Sequence, residues 1–141
     1  MEQRWDKIMN VMQINKIVKV NKKNSICLTA CISIANEEKK CWFEYPKEYQ
    51  EYVCSEKSDA FIIALLPYAM KHGLDIKSFV PISEKLYYQI VMYYIPILSK
   101  YQKQFQCIKL EADTINVDFN KEHAVGTGIS CGVDSFYSII K

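Results

Sequence analysis

A chain of 141 residues, half of them apolar, is sized for one ordinary domain with a real core. Its 18 basic and 16 acidic side chains nearly cancel, to a net charge of +2, which leaves no electrostatic footprint for nucleic acid. Six cysteines without a CxxC pair, and only two histidines, argue against a zinc centre and fit thiols kept reduced in the cytoplasm.

Residues 1–10 are polar and lack the apolar stretch of a secretory signal. Residues 1–12 read equally well as helix or strand. Apolar positions Ile14, Ile17, Val18 and Val20 then predict a strand over 14–20. Asn21-Lys22-Lys23-Asn24 reads as a turn with solvated charge. A second strand is expected over 25–35, a second turn at Asn36-Glu37-Glu38-Lys39, and a third strand over 41–45, stopped by Pro46. Three short strands with polar turns make an antiparallel meander.

The pattern changes after Pro46. Residues 49–57 read as loop. Ser58 is placed to cap a helix over 59–72, with Gly73 as its C-cap and Pro67 as a kink or interruption. A short strand is expected over 76–80. Ser83-Glu84 opens a second helix to about Lys103, which Pro96 would bend; Leu86 stands where a capping box needs Glu or Gln. Tyr87, Tyr88, Tyr93 and Tyr94 on that helix are expected in the core or at an inter-element contact. The two most apolar runs, 60–70 and 86–98, fall short of the ~20 residues of a membrane span, so no membrane partner is expected. A strand over 107–112, a polar connection over 116–123 and a strand over 124–129 complete the series. Cys27, Cys31, Cys41, Cys54 and Cys107 sit among apolar neighbours and read as small core residues. The expected class is α/β: a β-meander followed by βα units.

The only segment that points to a chemistry is GTGISCGVDSFYSIIK, residues 126–141. A small apolar run ends in Ser130-Cys131-Gly132-Val133-Asp134-Ser135, and an apolar-patterned segment follows. Strand, tight polar loop and helix start would present backbone N–H groups to an anion. Gly132 permits close backbone approach. The Ser130 and Ser135 hydroxyls can donate to phosphate oxygens. Asp134 would repel a phosphate unless a cation lies between them, which implies Mg²⁺.

These residues resemble the pyrophosphate-binding loop of the PP-loop ATP pyrophosphatase superfamily, S-G-G-x-D-S after the first strand of an adenine-nucleotide α-hydrolase-like sheet. Ser130, Gly132, Asp134 and Ser135 fall on that motif; Cys131 stands where the family has its first glycine. Four fixed residues, each at ~5–7% usage, recur by chance well under once in a hundred chains of this length. The resemblance implies that residues 124–141 begin a PP-loop domain and that 1–123 are an accessory α/β region. It implies ATP and Mg²⁺ as cofactors, with attack of a substrate oxygen on the α-phosphorus, loss of pyrophosphate, and displacement of AMP by a nitrogen or sulfur nucleophile. Ser130, Cys131, Gly132, Val133, Asp134 and Ser135 would cradle pyrophosphate, Asp134 serving the metal, and none would be a nucleophile. A PP-loop domain needs further βα units, so the chain is expected to be the N-terminal piece of a longer enzyme, inactive alone.

Other readings use the same residues. Gly128-Ile129-Ser130-Cys131-Gly132 matches the G-x-S-x-G nucleophile elbow of α/β hydrolases, with Ser130 as nucleophile. His72 and His123 both precede it, the wrong order for that fold, and Asp134-Ser135 is then unexplained. The segment can also be a plain strand–turn–helix junction. In that case the preceding region would be a binding module that recognises a substrate or pairs copies as a homo-oligomer.

Overall fold

Two hairpins open the structure. It is a computed structural model and describes residues 10–116. Strands β1 (Val11–Asn21), β2 (Ser25–Ile34) and β3 (Glu37–Pro46) form the expected antiparallel meander. At the first corner the lysine doublet is only partly solvated charge: the Lys22 ammonium lies 2.9 Å from Glu44. Glu44 also accepts from the Ser25 hydroxyl at 2.5 Å. These two hydrogen bonds, that from Ser25 first, hold the Glu44 carboxyl below its usual range, and the Glu44 partner raises Lys22. The second corner lies earlier than the sequence reading put it. Ala35 and Asn36 have φ of 49° and 67°, and β3 begins at Glu37. Two consecutive positive φ values give a two-residue turn whose twist matches the strands it joins. The charges at Glu37, Glu38 and Lys39 therefore lie on an exposed edge strand, where they oppose pairing with foreign strands.

The irregular spacing of apolar residues in β1 has a structural cause. The register with β2 slips between Ile14 and Lys16, leaving Asn15 as the extra residue, its amide donating to the Ser33 hydroxyl at 2.6 Å. One inserted residue reverses the in–out alternation. Met12 and Ile14 before it and Ile17 after it thereby all reach the core.

Helix α1 (Asp59–His72) then leads to β4 (Asp75–Ser83), which pairs parallel to β1. A continuous rod of α2 (Glu84–Gln89), a π turn (Ile90–Tyr94) and α3 (Ile95–Tyr101) leads to β5 (Leu110–Ile115), parallel to β4. The sheet order is β3-β2-β1-β4-β5. The fold is α/β with a mixed five-stranded sheet, and β1 serves both the meander and the parallel half. Met12, Ile14, Leu28, Ile32, Ile76, Ile82 and Leu110 from the strands share one core with Phe61, Ile62, Leu66 and Met70 of α1 and Ile90 and Ile95 of the rod. Helix α1 and the rod thus pack on one sheet face. The other face alternates to polar residues such as Asn15, Ser33, Lys77 and Glu111, with Lys77 and Glu111 paired at 2.7 Å.

Several boundaries differ from the sequence reading. Pro67 does not interrupt α1: it lies on the solvent side, and the buried stripe from Phe61 to Met70 holds the helix through the missing hydrogen bond. The second helix ends at Tyr101 rather than Lys103, and a wide π turn precedes Pro96. A proline ring collides with the carbonyl four residues back in a regular α-turn, and the wider turn gives it room. β4 runs through Pro81 to Ser83, and β5 starts at Leu110, three residues later than Cys107. Cys27 is buried and Cys31 and Cys41 half-buried, but Cys54 and Cys107 are exposed and are not core residues. Burial pushes the Cys41 thiol up. Tyr88, Tyr93 and Tyr94, expected to be covered, are each about half exposed; Tyr87 alone turns in, its hydroxyl donating to the Leu110 carbonyl at 3.3 Å.

Gly73 ends α1 in the left-handed region, with φ of 64° and its N–H returned to the Ala69 carbonyl. A side chain there is strained and meets the Gln106 amide at 2.5 Å, a flexible group that can move aside. Gly73→Ala is expected to lower the unfolding free energy by about 1–2 kcal/mol, read from the urea midpoint, with Gly73→Asn costing less. An unchanged midpoint for Gly73→Ala would show that this corner relaxes.

Candidate functional site

The loop Ser130, Cys131, Gly132, Val133, Asp134 and Ser135 lies outside the described residues, as do the strand expected over 124–129 and Met1 to Met9. Among the described residues, the sheet edge at the carboxyl ends of the parallel strands carries the polar cluster described next. β1, β4 and β5 run parallel, so their carboxyl ends share one side of the sheet. Ser83 at the end of β4 pairs with Ile115 at the end of β5. The carboxyl ends of parallel strands are where α/β sheets place their ligands.

That side is organised by Ser58, Asp59 and Ser83. The sequence reading takes Ser58 as the N-cap of α1. It occupies that position but makes no side-chain cap, because its hydroxyl donates elsewhere, to the Val80 and Pro81 carbonyls at 3.0 and 3.1 Å. Its backbone N–H also donates to Pro81 at 2.8 Å. β4 needs this help: its register with β5 slips between Ser78 and Ile82. Pro81 brings no N–H, and the wholly buried Ser58 ties the irregular carbonyls to the start of α1.

Asp59 closes the junction from the other direction. Its carboxylate accepts the Ser83 backbone N–H at 2.8 Å and the Ser83 hydroxyl at 2.5 Å. In a capping box an acid at the third helical position would take that N–H; Leu86 cannot, and Asp59 supplies the acceptor from a different helix. The Lys57 ammonium completes the cluster, 3.4 Å from the Ser83 hydroxyl and 3.9 Å from Asp59. Sequence reasoning passed over Lys57 and Asp59 because their partner Ser83 is 26 and 24 residues away, beyond any local motif.

Two clefts meet at Lys57 and Asp59. One, of about 340 Å³, is walled by Tyr45, Tyr49, Tyr52 and Val53. Lys19 holds its rim by donating to the Gln50 and Val53 carbonyls at 2.8 and 2.9 Å. The other, of about 390 Å³, is lined by Ser83, Lys85, Leu86 and Gln89. Ser83 is buried and committed to Asp59, so it is not presented as a nucleophile. The Lys57 ammonium stands at the junction of an aromatic cleft and a polar one, where it can donate to a bound acceptor. Among the described residues no group of three or more His, Cys, Asp or Glu side chains could hold a metal ion. No helix there is long and apolar enough to cross a membrane. His72 lies against the Tyr68 ring, tilted by 41° with 4.4 Å between centroids, in the last turn of α1, the helix end opposite Asp59.

Asp59→Ala removes the acceptor for both Ser83 donors. The expected cost is about 2 kcal/mol in the urea midpoint, within the range for hydrogen bonds to a charged group. Asp59→Asn retains one acceptor for the N–H and is expected to lose less. Equal losses for the two variants would contradict the capping role.

Comparison with known proteins finds no protein-family model that matches the chain. It finds no curated protein and no solved structure that matches either.

Proposed function

We propose that the chain carries the ATP pyrophosphate-binding loop of an AMP- and pyrophosphate-forming enzyme that amidates, ligates or thiolates its substrate. The observation that carries this reading is the sequence Ser130-Cys131-Gly132-Val133-Asp134-Ser135, a small apolar run before it and an apolar-patterned segment after it. Gly132 and the following amides would face pyrophosphate, and the Ser130 and Ser135 hydroxyls would donate to it. Asp134 would take Mg²⁺, which when bound neutralises the phosphate charge that a carboxylate alone would repel. Lys57, beside Ser83 at the end of β4, would be a further cation for an anionic substrate group. The chemistry asked of these residues is positioning and charge neutralisation.

The test is equilibrium binding of ATP to a protein that carries this chain together with a complete PP-loop domain, with and without Mg²⁺, and with inorganic pyrophosphate as competitor. Binding that requires Mg²⁺ and is displaced by pyrophosphate is the expected result. No binding at millimolar ATP would sink the reading.

A further inference from the structure

The helical rod of α2, the π turn and α3 is apolar on its outward face as well as its inward one. Ile90 and Ile95 are buried against the sheet. On the outside Tyr88, Met92, Tyr93, Tyr94, Ile97 and Tyr101 are between 51% and 70% exposed. A helix apolar all round is a helix with neighbours on both sides. The described residues supply a neighbour on one side only.

The π turn shapes this outer face. In a regular α-helix residues five apart point ~140° away from each other and do not touch. Here the rings of Tyr88 and Tyr93 meet edge-on, 5.9 Å between centroids. The wider turn brings i and i+5 together on the outside. On the inside it does the same for Ile90 and Ile95. One insertion thus keeps the core seam continuous past Pro96 and gathers the outer aromatic residues into a patch.

We infer that this patch is a two-fold interface between copies of the chain, with the two rods packed antiparallel. The area argues for it. A half-exposed tyrosine leaves roughly 100 Å² open, so six such residues offer roughly 600 Å². That is at the top of the range for a lone subunit's largest patch and close to the ~800 Å² per partner of a standard interface. The charges select the direction. Glu84 stands exposed at the first turn of the rod, and Lys100 and Lys103 at its far end. Antiparallel pairing about an axis between Met92 and Tyr93 brings Glu84 of each copy beside Lys100 of the other. It sets Met92 against Tyr93 and Tyr88 against Ile97, a thioether on a ring and a ring on an aliphatic chain. Parallel pairing would stack Lys100 on Lys100. Lys85, near Glu84, already interacts within its own subunit. The interface belongs to the described residues and does not depend on nucleotide binding.

Sedimentation equilibrium of the full chain at tens of micromolar, without nucleotide, is expected to give twice the monomer mass. Met92→Lys and Tyr93→Asp change exposed side chains, so they should keep the wild-type circular dichroism and a cooperative melt, now independent of protein concentration. Each is expected to weaken the dimer at least ~30-fold, as central apolar contacts do. Glu84→Lys should weaken it several-fold, and adding Lys100→Glu should restore it. A monomer at a hundred micromolar overturns the proposal, and one that sediments with anionic phospholipid vesicles assigns the face to a membrane surface instead. A dimer indifferent to Met92→Lys and Tyr93→Asp, or a charge-swapped variant no tighter than Glu84→Lys alone, overturns it as well.

Discussion

Phe61→Ala is expected to lower the unfolding free energy by about 3–5 kcal/mol, the cost of emptying a large aromatic site. Phe61 is wholly buried in the first turns of α1, and its ring lies 5.2 Å from that of Phe43 on the edge strand β3. It therefore joins the helix layer to the outermost strand of the meander, and its loss opens a cavity that strands on both sides must keep open. A domain of this size has ~5–15 kcal/mol in total, so this one change removes roughly a fifth of it or more. Ile63, two residues on, is about half exposed and supplies the control. Ile63→Ala is expected to cost under ~1 kcal/mol by the same urea titration. Equal losses at the two positions would mean that the helix is not seated on the sheet by this face.

Asp134→Ala is the change expected to hurt Mg²⁺-dependent ATP binding most. On the proposed reading a carboxylate beside a phosphate cradle is tolerable only with a cation between them, so its removal would lose that cation and leave the triphosphate charge uncompensated. Ser130→Ala removes one hydroxyl donor to a charged oxygen, worth ~1.5–3 kcal/mol, while the backbone donors remain. Cys131→Gly should preserve or improve affinity, since a Cβ at the family's first glycine position crowds the phosphate. The nucleophile-elbow reading demands the opposite order: Ser130→Ala would abolish a hydrolytic activity and Asp134→Ala would be mild. Nucleotide affinity and pyrophosphate release for the three variants separate the two. Three variants indistinguishable from the parent, with no ATP bound, would leave residues 130–135 a plain strand–turn–helix junction. The dimer predicted above would be unaffected by that result.

The order β-β-β-α-β-α-β was legible in the chain, because it rests on local signals: alternating apolar residues, turn-forming polar clusters, and the Asp59-to-Gly73 helix with its glycine end. The core was legible only in part: Ile14, Ile17 and Ile90 are buried as their spacing implies, but Val20 is exposed. The cluster of Lys57, Asp59 and Ser83 was not legible, since its partners are brought together only when α1 packs beside the end of β4. Ser58 shows the same limit from the other side. By sequence it is a cap, but burial beside the irregular end of β4 gave its hydroxyl two carbonyls to satisfy.

By itself the sequence determined the α/β class, the meander and the motif of residues 130–135, because each is written in neighbouring residues. The tertiary structure decided what depends on distant ones. It made β1 the strand shared by the antiparallel and parallel halves, through pairing with β4 more than 60 residues away. It reversed the in–out order within β1 by a bulge that only pairing with β2 reveals. It also left Tyr88, Tyr93 and Tyr94 in the open. A tyrosine carries the same burial drive at every position, and only the placement of the rod on one face of the sheet determines which rings the chain itself can cover.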